Sequence, residues 1–259
     1  MEFVRCEIAD RIGTITLDHP KKLNALSEAL VHEVIAAFKD FAAAGVRAAI
    51  LRARPGARVW SAGHDVSELP EGRRDPLGWD DPLRELVRTI ETFPAPVLAL
   101  VEGGVWGGAV ETVLACDIII AAPDVTFAIT PARLGVPYNL SGMVTFMSAA
   151  SLRIVKELIF TAAPITAARA ERVGMINHVV EAAEIESFTR AMALQICNNA
   201  PLAIITMKEE LRVLAGARPV SPRGFEKVQG MRRIAYDSAD YAEGIKAFKE
   251  KRKPVFEGR

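Results

Sequence analysis

The sequence predicts an α/β fold whose C-terminal third is mostly helical. Two patterns carry this reading. Short apolar strands alternate with amphipathic helical stretches through the first half of the chain. From about Ser148, helical patterns then follow one another with few strand signals between them. Composition agrees with both. Of 259 residues, half are apolar, a quarter charged and 7% aromatic, which suits a soluble globular protein with room for a substantial core.

Phe3 to Ile8 and Thr14 to Leu17 read as strands joined by the turn-forming run Asp10-Arg11-Ile12-Gly13. Ser27 is the expected N-cap of a helix whose apolar face carries Leu30, Val34, Phe38 and Phe41. Ala48 to Leu51 is a short buried strand. Val97 to Val101 is another, running into a glycine-rich turn and a helix from about Gly107 to Cys116. Ile118 to Ala121 and Thr126 to Ala128 complete the strands. Helices are expected over 150–160, 167–173, 184–198, 201–214, 224–236 and 238–249, with Pro219 to Pro222 as a loop between two of them. There is no clear internal repeat and no low-complexity segment.

Charge narrows the function classes. Thirty-two Lys and Arg balance thirty-two Asp and Glu, so nucleic acid is not the expected main partner. Cys6, Cys116 and Cys197 are odd in number and widely spaced, which argues against a disulfide framework or a zinc site. The N-terminal run MEFVRCEIADRIG lacks the apolar region of a signal peptide, and nowhere do eighteen apolar residues run uninterrupted. A cytoplasmic location is expected, with no membrane partner.

Two loops concentrate the unusual backbone. One is Trp60-Ser61-Ala62-Gly63-His64-Asp65-Val66, and the other runs from Glu102 to Glu111 with Gly103, Gly104, Gly107 and Gly108. Glycines at a strand-to-helix turn let the backbone approach a ligand and aim unpaired N–H groups at it, although they also serve simply to make tight turns. The dinucleotide pattern GxGxxG fails, because the third position is Val105 from Gly103 and Trp106 from Gly104. GxxxxGK[ST], HExxH and GxSxG are also absent.

Ser61-Ala62-Gly63-His64-Asp65 resembles the AGxD signature of the enoyl-CoA hydratase/isomerase (crotonase) superfamily. Gly107-Gly108-Ala109-Val110-Glu111 followed by Cys116-Asp117 resembles its GGxxE…CD block. Leu23-Asn24-Ala25-Leu26 is similar to the stretch that begins CoA contact, and Gly174 to Val180 to a helix-strand segment of the family. The resemblance spans essentially the whole chain. It implies a crotonase-like spiral of ββα units over 1–195 and a helical C-terminal oligomerisation region over 196–259, assembled as a homotrimer or a dimer of trimers. It also implies an acyl-CoA substrate whose thioester enolate is held by the His64 and Gly108 backbone N–H groups, an oxyanion hole whose donors are each worth about 10²–10³ in rate. Ala62, Gly63, His64, Asp65 and Val66 are then expected along the CoA, with Lys251 of the basic tail, and more weakly Lys22, near its phosphates.

Acid/base residues divide the superfamily. Two-glutamate hydration needs a partner for Glu111, but that position aligns with Pro131, and no Asp or Glu occurs between Val125 and Lys156. Decarboxylation tolerates that loss. An oxyanion hole is the electron sink it needs, and an acid-free pocket accepts the substrate's own carboxylate. His64, Thr130-Pro131, Leu134 to Leu140, Glu209 to Leu214 and Gly230 to Arg233 resemble decarboxylating members, implying conversion of methylmalonyl-CoA to propionyl-CoA without biotin or metal. Thr130 and Tyr138 are candidates to orient the carboxylate, and Tyr138 to help protonate the enolate. Glu111 is either an acid/base group or a structural partner of a nearby polar group. The alternatives are an enoyl-CoA hydratase or isomerase with a changed acid/base set, and a catalytically idle CoA-fold protein that binds RNA or another protein.

Overall fold

The computed structural model describes residues 1–70, 75, 77–217 and 219–259. Strands β1 (Val4–Ala9) and β2 (Ile12–Leu17) form an antiparallel hairpin, turned by Asp10 and Arg11 at positive φ. Helix α1 (Glu28–Ala43) follows, capped by the Ser27 hydroxyl, which accepts from Leu30 N. Leu30, Val34, Phe38 and Phe41 are all buried, as their spacing requires. The chain then enters a repeating path of β3 (Ala48–Ala53), β4 (Val59–Ser61), α2 (Pro82–Thr92), β5 (Val97–Val101), β6 (Gly104–Trp106), α3 (Gly108–Leu114), β7 (Ile118–Ala121) and β8 (Thr126–Ala128).

Successive strands on this path alternate between two sheets. Together with β10 (His178–Val179), one sheet has the order β1-β2-β3-β5-β7-β10, parallel from β2 onward. With β9 (Ile165–Thr166), the other has the order β4-β6-β8-β9. Each strand, strand, helix unit advances both sheets by one strand, which is the ββα spiral. Strands β3 and β5 are buried along their whole length, so β5 reads as a continuous apolar run, and β3 as one broken at Arg52, which pairs with Glu102 and Glu186. Trp60 anchors the second sheet to the first: fully buried, it donates from Nε1 to the Leu100 carbonyl at 3.0 Å.

Helices α4 (Leu140–Ala149), α5 (Leu152–Thr161), α6 (Ala167–Arg172), α7 (Ile185–Cys197), α8 (Pro201–Gly216), α9 (Pro222–Tyr236) and α10 (Ala239–Lys249) supply the helical remainder. The domain boundary expected at 195/196 falls inside the last turn of α7. Lys208 ties α8 to the spiral by donating to the Ala95 carbonyl at 2.9 Å and to Asp117 Oδ2 at 2.7 Å. Cys116 and Cys197 are buried and Cys6 exposed, all three as free thiols. Among the described residues no helix is long and apolar enough to cross a membrane.

Gly13 marks where α1 presses closest to the hairpin. A Cβ there would lie 2.3 Å from Phe41 Cδ2, and Phe41 is buried with little room to yield. Gly13→Ala is therefore expected to cost about 1–3 kcal/mol, read as a lower denaturant midpoint with an unchanged slope.

Candidate active site

The two glycine-bearing loops meet at one end of the second sheet. The turn after β4 is fixed by the Leu23–Ser27 segment: Ala62 N donates to the Leu23 carbonyl at 3.0 Å, and Leu26 N to the Gly63 carbonyl at 2.8 Å. Asn24 is buried within it, donating from Nδ2 to the Trp60 carbonyl at 2.9 Å, while Ser61 Oγ donates to the Asn24 carbonyl at 2.7 Å. The other segment is more regular than a simple turn. Residues Gly104–Trp106 form β6 instead of open loop, and the break comes at Gly107, with φ 56° and its N–H donating to the Ala128 carbonyl.

This pairing leaves almost no space between the two chains. A Cβ on Gly63 would stand 2.4 Å from the Trp106 carbonyl oxygen and 2.8 Å from Gly108 N, at a φ of +88°. Glycine is the residue that meets both conditions. Gly108 opens α3, where the first N–H groups have no intrahelical acceptor. Among the described residues, neither the His64 nor the Gly108 N–H donates a hydrogen bond within the protein. A Cβ on Gly108 would lie 3.6 Å from His64 N, so the two unpaired amides stand side by side.

They open on a cavity of about 640 Å³. Ala62, His64, Asp65, Val66, Gly108, Thr130, Tyr138 and Lys251 line it, as does Lys22. Gly63 lies behind this wall as a spacer. Toward one end the lining is apolar, with Leu77, Leu83, Val136 and the Tyr138 ring, which packs edge-on against Phe146 at 4.9 Å. Burial, and then the negative charge of Glu111, push the Tyr138 phenol well above its usual range, so at neutral pH it remains a proton donor. Thr130 Oγ1 sits over Gly107, 3.2 Å from where a Cβ would be. Toward the other end, Lys22 donates to Asp65 Oδ2 at 2.8 Å. Burial raises the Asp65 pKa, but hydrogen bonds from Lys22 and Ser67 outweigh it and hold the carboxyl below the usual range.

Glu111 stands apart from these residues. It does not line the cavity. Fully buried, it pairs through Oε1 with the guanidinium of Arg84, itself buried, and its Oε2 has no hydrogen-bond partner. Burial raises its pKa against the opposing pull of Arg84.

The first turn of α2 carries residues that sequence reasoning missed. Asp81 caps the helix and reaches the His64 ring, Leu83 covers Gly108, and Arg84 pairs with Glu111. The signal was present as Asp81-Pro82, an N-cap followed by proline at the first helical position.

The enoyl-CoA hydratase/isomerase family model matches residues 7–259. The chain belongs to this family. Methylmalonyl-CoA decarboxylase of Escherichia coli (strain K12) is 51% identical over 257 residues, covering 99% of this chain and 98% of that protein. Carnitinyl-CoA dehydratase of Salmonella enteritidis is 32% identical, covering 95% and 94%. Among solved structures, methylmalonyl-CoA decarboxylase in complex with 2-nitronate-propionyl-CoA superposes with a TM-score of 0.98 at 51% identity, covering 99% of both chains. A second structure of that enzyme, with 2S-carboxypropyl-CoA, gives the same TM-score and covers 100% of this chain and 99% of the other. An enoyl-CoA hydratase/carnithine racemase from Magnetospirillum magneticum gives 0.79 at 26% identity, covering 100% and 97%.

Two outcomes test this geometry. Gly63→Ala is expected to force the two loops apart and lower kcat at least about 10²-fold, with the secondary structure seen by circular dichroism retained. The second concerns the tail. Lys251 has a φ of +55° and is followed by Arg252, whose Nη2 donates to Glu243 Oε2 at 2.8 Å, while Val255 N donates to Glu243 Oε1. Glu243→Gln is expected to loosen this segment and weaken acyl-CoA binding severalfold with kcat little changed, measured by calorimetric titration beside steady-state rates.

Proposed function

We propose that this chain decarboxylates methylmalonyl-CoA to propionyl-CoA. In the proposed mechanism the thioester oxygen lies between the His64 and Gly108 amides. The bond between the α-carbon and the carboxylate breaks, carbon dioxide leaves, and the electron pair moves into the thioester as an enolate whose oxyanion those two N–H groups stabilise. A proton then returns to the α-carbon. Tyr138, kept protonated, is assigned to that donation, directly or through a water, and is reprotonated from solvent. Thr130, beside Gly107, is assigned to orienting the departing carboxylate. Val66 and the backbone from Ala62 to Asp65 follow the CoA chain, with Lys251 and Lys22 near its phosphates.

One observation carries the reading. Among the described residues lining the cavity, Asp65 is the single acid, and its carboxylate is tied to Lys22 and Ser67. A substrate carboxylate at the amides therefore meets no opposing carboxylate on the cavity wall, and two-acid water addition has no second lining acid to use. The identity to methylmalonyl-CoA decarboxylase over nearly both chains supports the same assignment. We assign Glu111 a supporting role, neutralising Arg84 beneath α3. The reaction as written calls for neither biotin nor a metal.

A homotrimer or dimer of trimers is proposed for the assembly, with the helices beyond α7 as its contact region. Leu202, Leu211 and Leu214 on α8, and Met231 and Ile234 on α9, are exposed large apolar side chains, of the kind that subunit contacts cover. A cytoplasmic location fits such an enzyme.

The decisive assay offers methylmalonyl-CoA, malonyl-CoA and crotonyl-CoA. Carbon dioxide release from methylmalonyl-CoA is the expected result. Loss of the crotonyl double bond without decarboxylation would overturn the proposal in favour of a hydratase, and no turnover of any thioester would favour a binding protein. Tyr138→Phe is expected to lower kcat by about 10² or more with KM little affected.

A further inference from the structure

His64 lines the cavity beside the Gly108 amide, and its imidazole has a defined setting of its own. Nδ1 lies 3.2 Å from the Asp65 carbonyl oxygen, and Nε2 lies 3.2 Å from Asp81 Oδ2. A carbonyl and a carboxylate only accept hydrogen bonds, so both contacts are satisfied together only when both ring nitrogens carry a proton. Neutral imidazole has one N–H and must leave one acceptor facing a lone pair.

Asp81 is well built to hold that charge. Its side chain is only 10% exposed, and its other oxygen accepts from Arg84 N, capping α2. The carboxylate is thus fixed by a helix start, and the ring is fixed by the carboxylate. Other charged groups near the ring are disposed differently. Asp65 is engaged by Lys22 and Ser67. Glu68 accepts from Glu28 N at 2.9 Å and adds a weaker negative influence. Lys249 and Lys251 line the same cavity from α10 and the tail. Burial alone lowers the His64 pKa, but the hydrogen bond and charge of Asp81, with the Asp65 carbonyl and Glu68, outweigh it and leave the value above the ordinary one.

We infer that Asp81 is a positioning residue that keeps His64 as an imidazolium, and that this proton makes the acyl site selective for thioesters bearing a free carboxylate. The selectivity follows from net charge. Protonated, the His64–Asp81 pair is neutral and the acyl end stays free of excess negative charge. Deprotonated, the pair carries one negative charge beside the place where the substrate carboxylate would sit. The substrate class rests on the decarboxylase reading, whereas the state of the ring does not.

The test compares two stable probes, 2S-carboxypropyl-CoA and propyl-CoA, which differ by the carboxylate. Their affinity ratio is measured by calorimetric titration from pH 5.5 to 9, so that ionisation of the CoA phosphates cancels. The wild-type ratio should be constant on the acid side of the His64 titration and fall several-fold as pH rises through it, that titration being followed by NMR of the isotope-labelled imidazole and assigned with His64→Gln. In Asp81→Asn, which still caps α2, both the NMR transition and the fall in the ratio should move down by about one pH unit or more. His64→Gln should abolish the pH-dependent fall. Three results would overturn the inference: a His64 titration unmoved by Asp81→Asn, an affinity ratio independent of pH, or a fall in the ratio that survives in His64→Gln. None of these readouts requires turnover, so an enzyme inactive toward methylmalonyl-CoA would refute the decarboxylase reading alone.

Discussion

The site depends on the close approach of two backbones at Gly63 and at Gly107 and Gly108. Two amide groups can act on one oxygen only if their chains come nearer than any side chain allows, and the contact from Gly63 to the Trp106 carbonyl leaves no room for a Cβ. Holding strands that close requires rigid support behind them. The support is polar and buried: Asn24 grips the Trp60 carbonyl, Ser61 Oγ grips the Asn24 carbonyl, and the Trp60 indole grips β5. Each of these three side chains has its partner, so the hydrogen bonds lock one arrangement of the support.

The same economy governs α2. Its first turn reaches the His64 ring through Asp81, covers Gly108 with Leu83 and meets Glu111 through Arg84. Arg84 and Glu111 lie deep enough that either charge alone would be costly, by about 3–5 kcal/mol if its partner were removed. Pairing them fixes α2 against α3, and so fixes the wall that faces the amide pair. In a two-glutamate hydratase the position of Glu111 would be a working acid or base. Here its carboxyl group pairs with Arg84 and does not line the cavity.

Much of this was legible in the sequence, and the parts that were not have physical reasons. Strands β5, β7 and β8 fall on the expected residues; β5 and β7 are unbroken apolar runs, as buried parallel strands tend to be, and β8 is the short run Thr126-Phe127-Ala128. The amide pair was legible through its glycines. Strands β4 and β6 were not, because three residues containing Gly or Trp carry no periodicity. Helix α2 was overlooked although its cap was present, since its charged residues hide a narrow apolar face. The setting of Glu111 could not be read at all. It depends on Arg84, 27 positions earlier, and no local pattern joins them.

The charge layout unites these features. Equal numbers of acids and bases give no hint of a polyanionic partner, and the stretch from Val125 to Lys156 without an acid explains only part of the cavity's character. Three of the acids near the cavity each face a specific neighbour: Asp65 faces Lys22, Glu111 faces Arg84, and Asp81 faces the His64 ring. Each pairing also does mechanical work, fixing a loop, a helix pair or a ring. On the proposed function, a pocket for an anionic acyl group is thus made by pairing the acids the fold needs as well as by omitting others. Asp65 raises the pKa of Lys22, whereas histidine changes its charge within the physiological range. The His64–Asp81 pair is therefore a point at which the electrostatics of this wall stay open to pH.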